Sequence, residues 1–82
     1  MMTDDTDRQY APRESDKEWL RATIGMIRDG GIWCHPAAGL VYKIDHERKV
    51  ASPLGEVLPE QFGMARINEV VFESIGWRVE AQ

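Results

Sequence analysis

Cys34, His35 and His46 carry the most reactive side chains in this sequence. Thiolate and imidazole are zinc ligands, and a cysteine with a histidine base nearby is a nucleophile. The spacing supports neither chemistry. Cys34 is the only cysteine, no C-x-x-C or H-x-x-x-H pair occurs, and His46 follows His35 by eleven residues. On a strand, Cys34 and His35 point to opposite faces. A Cys34–His46 pair would also need a third positioned group and a pocket, for which 82 residues leave little room. No catalytic residue, cofactor or metal is therefore expected. Cys34 is expected to be buried as a small hydrophobe and His35 to lie at the surface. Asp45-His46-Glu47 suits the polar connection of a hairpin better than an acid/base cluster. Gly30-Gly31 lacks the G-K-[ST] and the strand context of a phosphate loop.

Charge narrows the partners. The chain has 14 acids and 10 bases, a net charge of -4. Residues 1–18 carry -3, residues 19–52 carry +2, and residues 53–82 carry -3. That balance argues against strong non-specific nucleic-acid binding, which neutralises phosphates. The one local basic feature is Lys43, Arg48 and Lys49. A helix followed by a β-hairpin with a basic tip resembles, in layout alone, a winged-helix DNA-binding module. The layout implies Lys43, Arg48 and Lys49 on phosphates and Arg66 or Asn68 reading base edges. Glu60, Glu69 and Glu73 in the same region would repel phosphates. Glu69 and Glu73 fit a protein partner better, one that is basic and steered by charge. Small acidic inhibitors encoded by phages and other mobile elements have this general character. The expectation is a small soluble accessory or inhibitor-type protein that is not an enzyme and acts through protein–protein interaction. A DNA-binding regulator using the hairpin at 43–49 is the alternative.

These residues need elements to hold them. Residues 1–14 are polar and acidic, carry Pro12, and predict a tail anchored only by Tyr10. Ser15-Asp16-Lys17-Glu18 matches a capping box. Behind it, Leu20, Thr23, Ile24 and Ile27 recur at helical spacing, predicting a helix over 16–29 with Gly30 as its left-handed cap. Ile32–His35 predicts a strand, and 36–39 a turn. In 40–44, Leu40, Tyr42 and Ile44 alternate with Val41 and Lys43. Residues 49–52 predict a return strand closed by Pro53. From Pro59 onward a second helix follows, with Met64, Ile67, Val70, Val71, Ser74 and Ile75 on one stripe and Gly76 as its cap. The competing reading is a strand through Val70-Val71-Phe72. Trp77, Val79 and Ala81 alternate with Arg78 and Glu80, predicting a last short strand.

The fold class expected is α+β: one small domain over 15–82, in the order α-β-β-β-α-(β). Its antiparallel sheet of three to four strands is covered on one face by helices. An 82-residue chain has a thin margin of stability. One cysteine permits no internal disulfide and suits a reducing cytoplasm. Trp19, Trp33 and Trp77 favour packing, and a homodimer is compatible with the size. No apolar run is long enough to span a membrane, and the acidic N-terminus matches no targeting peptide.

Overall fold

The computed structural model of the chain describes residues 11–35 and 39–81. Two helices and four strands follow the expected order. They are α1 (Glu14–Gly25), β1 (Ile32–His35), β2 (Leu40–Asp45), β3 (Val50–Pro53), α2 (Phe62–Ser74) and β4 (Arg78–Val79). A turn of 3-10 helix, Pro59–Gln61, leads into α2. The predicted N-terminal tail falls largely outside the described residues, as does most of the turn expected at 36–39.

Helix α1 begins two residues earlier than expected. Its cap is Arg13, whose backbone N–H donates to the Asp16 carboxylate at 3.1 Å. The reach-back bond of a capping box is thus made by Asp16 instead of Glu18. This register sets Glu14 and Asp16 in the first turn, where acids face the positive end of the helix. The C-terminus comes four residues early, at Gly25. Met26 and Ile27 then make tighter three-residue bonds to Thr23 and Ile24.

Gly30 has a different task from the cap assigned to it. It sits at φ +82°. Its N–H donates to Ile44 O at 2.7 Å, and Ile44 N–H donates to Gly31 O at 2.9 Å. Two residues therefore oppose one, with a left-handed glycine first. That is a G1 bulge, and only glycine takes this φ without strain. Gly31 is held for another reason. A Cβ there would lie 2.6 Å from Ile27 Cγ2 and 2.9 Å from the Arg28 carbonyl oxygen.

The sheet order is β1-β2-β3-β4. β1–β2 and β2–β3 pair antiparallel, with Trp33 opposite Tyr42 and Ile44 opposite Ala51. β4 corrects the antiparallel expectation by pairing parallel to β3, Ala51 beside Val79. The reason is the crossover. Helix α2 carries the chain back along the sheet before β4 begins, so β4 runs with β3. The hairpins of the first three strands reverse the chain each time.

One face of the sheet is the core. Leu40, Tyr42 and Ile44 are buried there, as the alternation predicts. Leu20 and Ile24 from α1 and Val71 and Phe72 from α2 close over them. Phe72 has no exposed surface. It lies off the stripe read from the sequence, because the inward line of α2 runs through Asn68, Val71 and Phe72. Trp33 is the hub, with ring centroids 5.6 Å from Tyr42 and 5.5 Å from Phe72. α2 ends in a Schellman motif: Trp77 N–H reaches Phe72 O at 2.9 Å and Gly76 N–H reaches Glu73 O at 3.0 Å. Gly76, at φ +87°, is the left-handed residue this motif requires, as expected. Trp77 then packs back on Phe72, the rings tilted by 45° with centroids 6.1 Å apart. The strand reading of residues 70–72 is therefore replaced by helix.

Candidate functional site

The strand alternation decides where the reactive residues go. Trp33 turns inward, so Cys34 turns outward and is exposed, against the expectation that it is buried. His35 shares the inner face with Trp33 and is half-buried instead of lying free at the surface. Its ring meets Trp33 at 5.9 Å and Trp19 at 6.1 Å, both edge-on. Among the described residues no group of three or more His, Cys, Asp or Glu side chains is placed to hold a metal ion.

His46 closes the hairpin against the loop after α1. Its backbone N–H donates to Asp29 Oδ1 at 2.6 Å. Its Nε2 lies 2.7 Å from Ile27 O. A carbonyl oxygen only accepts, so Nε2 carries the proton. The ring also stands edge-on to Trp77 at 5.5 Å. His46 is thus a clasp for the hairpin. Its partners are a backbone carbonyl and an indole, which equip no nucleophile.

The hairpin cations do not form one patch. Arg48 lies 4.0 Å from Asp45 and 3.6 Å from Glu80, so two acids neutralise it. Lys43 is on the outer face of the sheet, in a polar depression of about 420 Å³ shared with Asp29, Asp45 and Glu47. Lys49 stands apart. It has φ +56°, a region non-glycine residues seldom adopt. It lines a separate depression of about 340 Å³ together with Arg21, His46 and Trp77.

The residues assigned to base reading and to partner binding also separate. Asn68 is only 5% exposed, and its Nδ2 donates to the Tyr42 hydroxyl at 3.4 Å. Its amide is committed inside the core. Arg66 pairs with Glu69 at 2.9 Å. Glu73 is exposed and enters no ion pair among the described residues, whereas Glu69 is half-buried. Burial pushes the Tyr42 phenol above its ordinary 10.0. The hydrogen bond from Asn68 opposes that rise, and the charge of Glu69 adds to it. Among the described residues, no buried side-chain nitrogen or oxygen lacks a partner.

What sequence reasoning missed is apolar. Leu54, Leu58 and Phe62 are 37%, 44% and 58% exposed. They fall within nine residues that also hold exposed Glu56 and Glu60 and no base. Phe62 further lines a groove of about 370 Å³ with Val57, Ala65, Val79 and Ala81, beside the open edge of β4. The segment reads as an irregular linker because Pro53, Gly55 and Pro59 punctuate it. The signal for an exposed patch was the run of large apolar residues between them. No helix among the described residues is long and apolar enough to cross a membrane. Comparison with known protein families, with curated proteins and with solved structures finds nothing that matches this chain.

Proposed function

We propose that this chain is a small interaction protein that binds a basic protein partner through residues 54–62 and the adjoining face of α2. The observation carrying this reading is the apolar run of Leu54, Leu58 and Phe62, three of the six exposed large hydrophobics of the described residues, gathered within nine positions. An apolar centre inside a charged rim is the usual anatomy of a protein interface. The rim here is acidic: Glu56 and Glu60 lie between the apolar residues, and Glu73 is free further along the helix. An aromatic anchor such as Phe62 is the type of residue that carries binding energy.

The hairpin reading of DNA binding has less support. Asn68 is turned into the core and Arg48 is neutralised by two acids. Neither residue is then free for the task the layout gives it.

The test uses the full chain with a photo-crosslinking residue at position 62 in the source cells, and a control at exposed position 47. Expected is a discrete adduct from position 62 alone. With the purified partner, Phe62→Ser should weaken binding at least about thirtyfold, the size of an interface hot spot. Glu73→Lys should slow association at low salt. Equal adducts from both positions, or an association rate indifferent to Glu73→Lys and to salt, would overturn the proposal.

A further inference from the structure

The depression beneath the hairpin tip is chemically unlike the rest of the surface. Its walls are Arg21, Ile24 and Gly25 from α1, His46 and Lys49 from the hairpin, and Ile75 and Trp77 from the end of α2. No carboxylate lines it. Three other depressions of the described residues each carry one or more: Asp16 in the first, Glu69 in the second, and Asp29, Asp45 and Glu47 in the third. In a chain of net charge -4, a concave site with two cations and no acid is a local reversal of sign.

Both cations are also available. The Arg13, Lys17, Arg48, Arg66 and Arg78 side chains all meet carboxylates. Arg21 and Lys49 meet none within 4 Å among the described residues, nor do Arg28 and Lys43, but only Arg21 and Lys49 share a depression without a carboxylate. Lys49 holds a left-handed backbone where glycine or asparagine is usual. The floor is apolar, made by Ile24, Ile75 and the indole of Trp77. Gly25 leaves one wall bare, with nothing within 4 Å of where a Cβ would be. His46 fixes the hairpin above this floor through its bond to Ile27 O.

We infer that this depression binds a small phosphate monoester with an apolar or aromatic body. Near neutral pH such a group carries about -1.5 to -2 charges, which the two cations match. A guanidinium offers a fork of donors to phosphate oxygens, and a lysine adds a point charge. A monocarboxylate would leave one cation unmatched. The apolar floor takes one face of the ester's body, and the depression of about 340 Å³ is open, so the other face stays in water. The site is independent of the apolar patch at residues 54–62, so the two proposals fail separately.

The test titrates the full chain with phenyl phosphate and follows the Trp77 indole and Gly25 amide by NMR. Inorganic phosphate, phenol and a short DNA duplex are the comparison ligands. Expected is a saturable shift at both probes, with phenyl phosphate binding more tightly than phosphate or phenol. Arg21→Gln and Lys49→Gln should each weaken it about tenfold, equivalent to ~1.4 kcal/mol. Arg48→Gln, on a side chain that already has two acids, should change it less than about twofold. All three positions are exposed, so unchanged spectra elsewhere verify the fold. Shifts that never saturate, or that survive both substitutions, would overturn the site. Phosphate binding as tightly as phenyl phosphate would remove the role of the floor. A duplex binding more tightly through Arg21 and Lys49 would replace the ester by nucleic acid.

Discussion

Asn68 separates a core role from a recognition role, and substituting it decides between them. Its amide is buried and its hydrogen bond runs to the Tyr42 hydroxyl, itself 2% exposed. Asn68→Ala removes the donor and leaves the phenol without a partner. An abandoned buried polar group costs about 1–3 kcal/mol. The bond is long at 3.4 Å, which favours the lower half of that range. Alanine returns up to about 0.7 kcal/mol of helix propensity. The net loss is therefore about 0.3–2 kcal/mol, centred near 1 kcal/mol, where Tm falls by roughly 4–8 °C in a domain of this size. Tyr42→Phe removes the other partner and should cost about 1 kcal/mol. If the two side chains act on each other, the double variant loses less than the sum, with a coupling near 1 kcal/mol. Urea unfolding, followed by both far-UV circular dichroism and tryptophan fluorescence, measures all four proteins. Asn68→Ala as stable as the parent within about 0.3 kcal/mol, or two costs that simply add, would refute the reasoning. A recognition residue at the surface would give that outcome, with its effect appearing in binding instead.

Three further predictions concern the same core. Thr23 Oγ1 accepts the Trp33 Nε1–H at 3.0 Å and donates to Leu20 O at 3.1 Å. Thr23→Val keeps the shape and removes the acceptor, so urea unfolding should show a loss of about 1–2 kcal/mol, and Thr23→Ser distinctly less. Gly31→Ala drives a Cβ against the backbone carbonyl of Arg28; it should destabilise by about 1–3 kcal/mol, the range for an overpacked site, and a neutral result would count against the close approach. Tyr42 has a raised folded pKa. The unfolded phenol therefore releases its proton near pH 10 while the folded one keeps it. Stability should be intact below that pH and fall above it, by at most ~1.4 kcal/mol per pH unit, and Tyr42→Phe should flatten that slope.

Much of the fold was legible in the sequence, and its limits fall at identifiable residues. Period-2 alternation placed Leu40, Tyr42 and Ile44 on the buried face because a strand has only two faces to choose from. Gly76 announced its cap because a left-handed residue must follow a helix that ends this way. Gly30 misled for the same reason: a left-handed glycine serves a cap and a bulge equally well, and only its partner Ile44, from another strand, distinguishes them. Asn68 reads as a surface residue because polarity is local information. Its burial depends on Tyr42, twenty-six positions earlier. Cys34 reads as buried by its type, yet Trp33 beside it claims the inner face and leaves Cys34 outside.

The candidate sites divide along the same line. The sequence determined that the chain is acidic overall and that its cysteine is alone. It also supplied the element order, because caps, breakers and periodicity act over a few residues. Tertiary structure alone decided which charges remain available. Arg48 is neutralised by Glu80 from beyond the last strand, while Lys49, its neighbour in the chain, joins Arg21 from the first helix over Trp77. It also decided that β4 returns parallel to β3 and that Leu54, Leu58 and Phe62 stay in water. These outcomes rest on contacts between distant segments, whose strength depends on distance and burial, neither of which is written in the order of the residues.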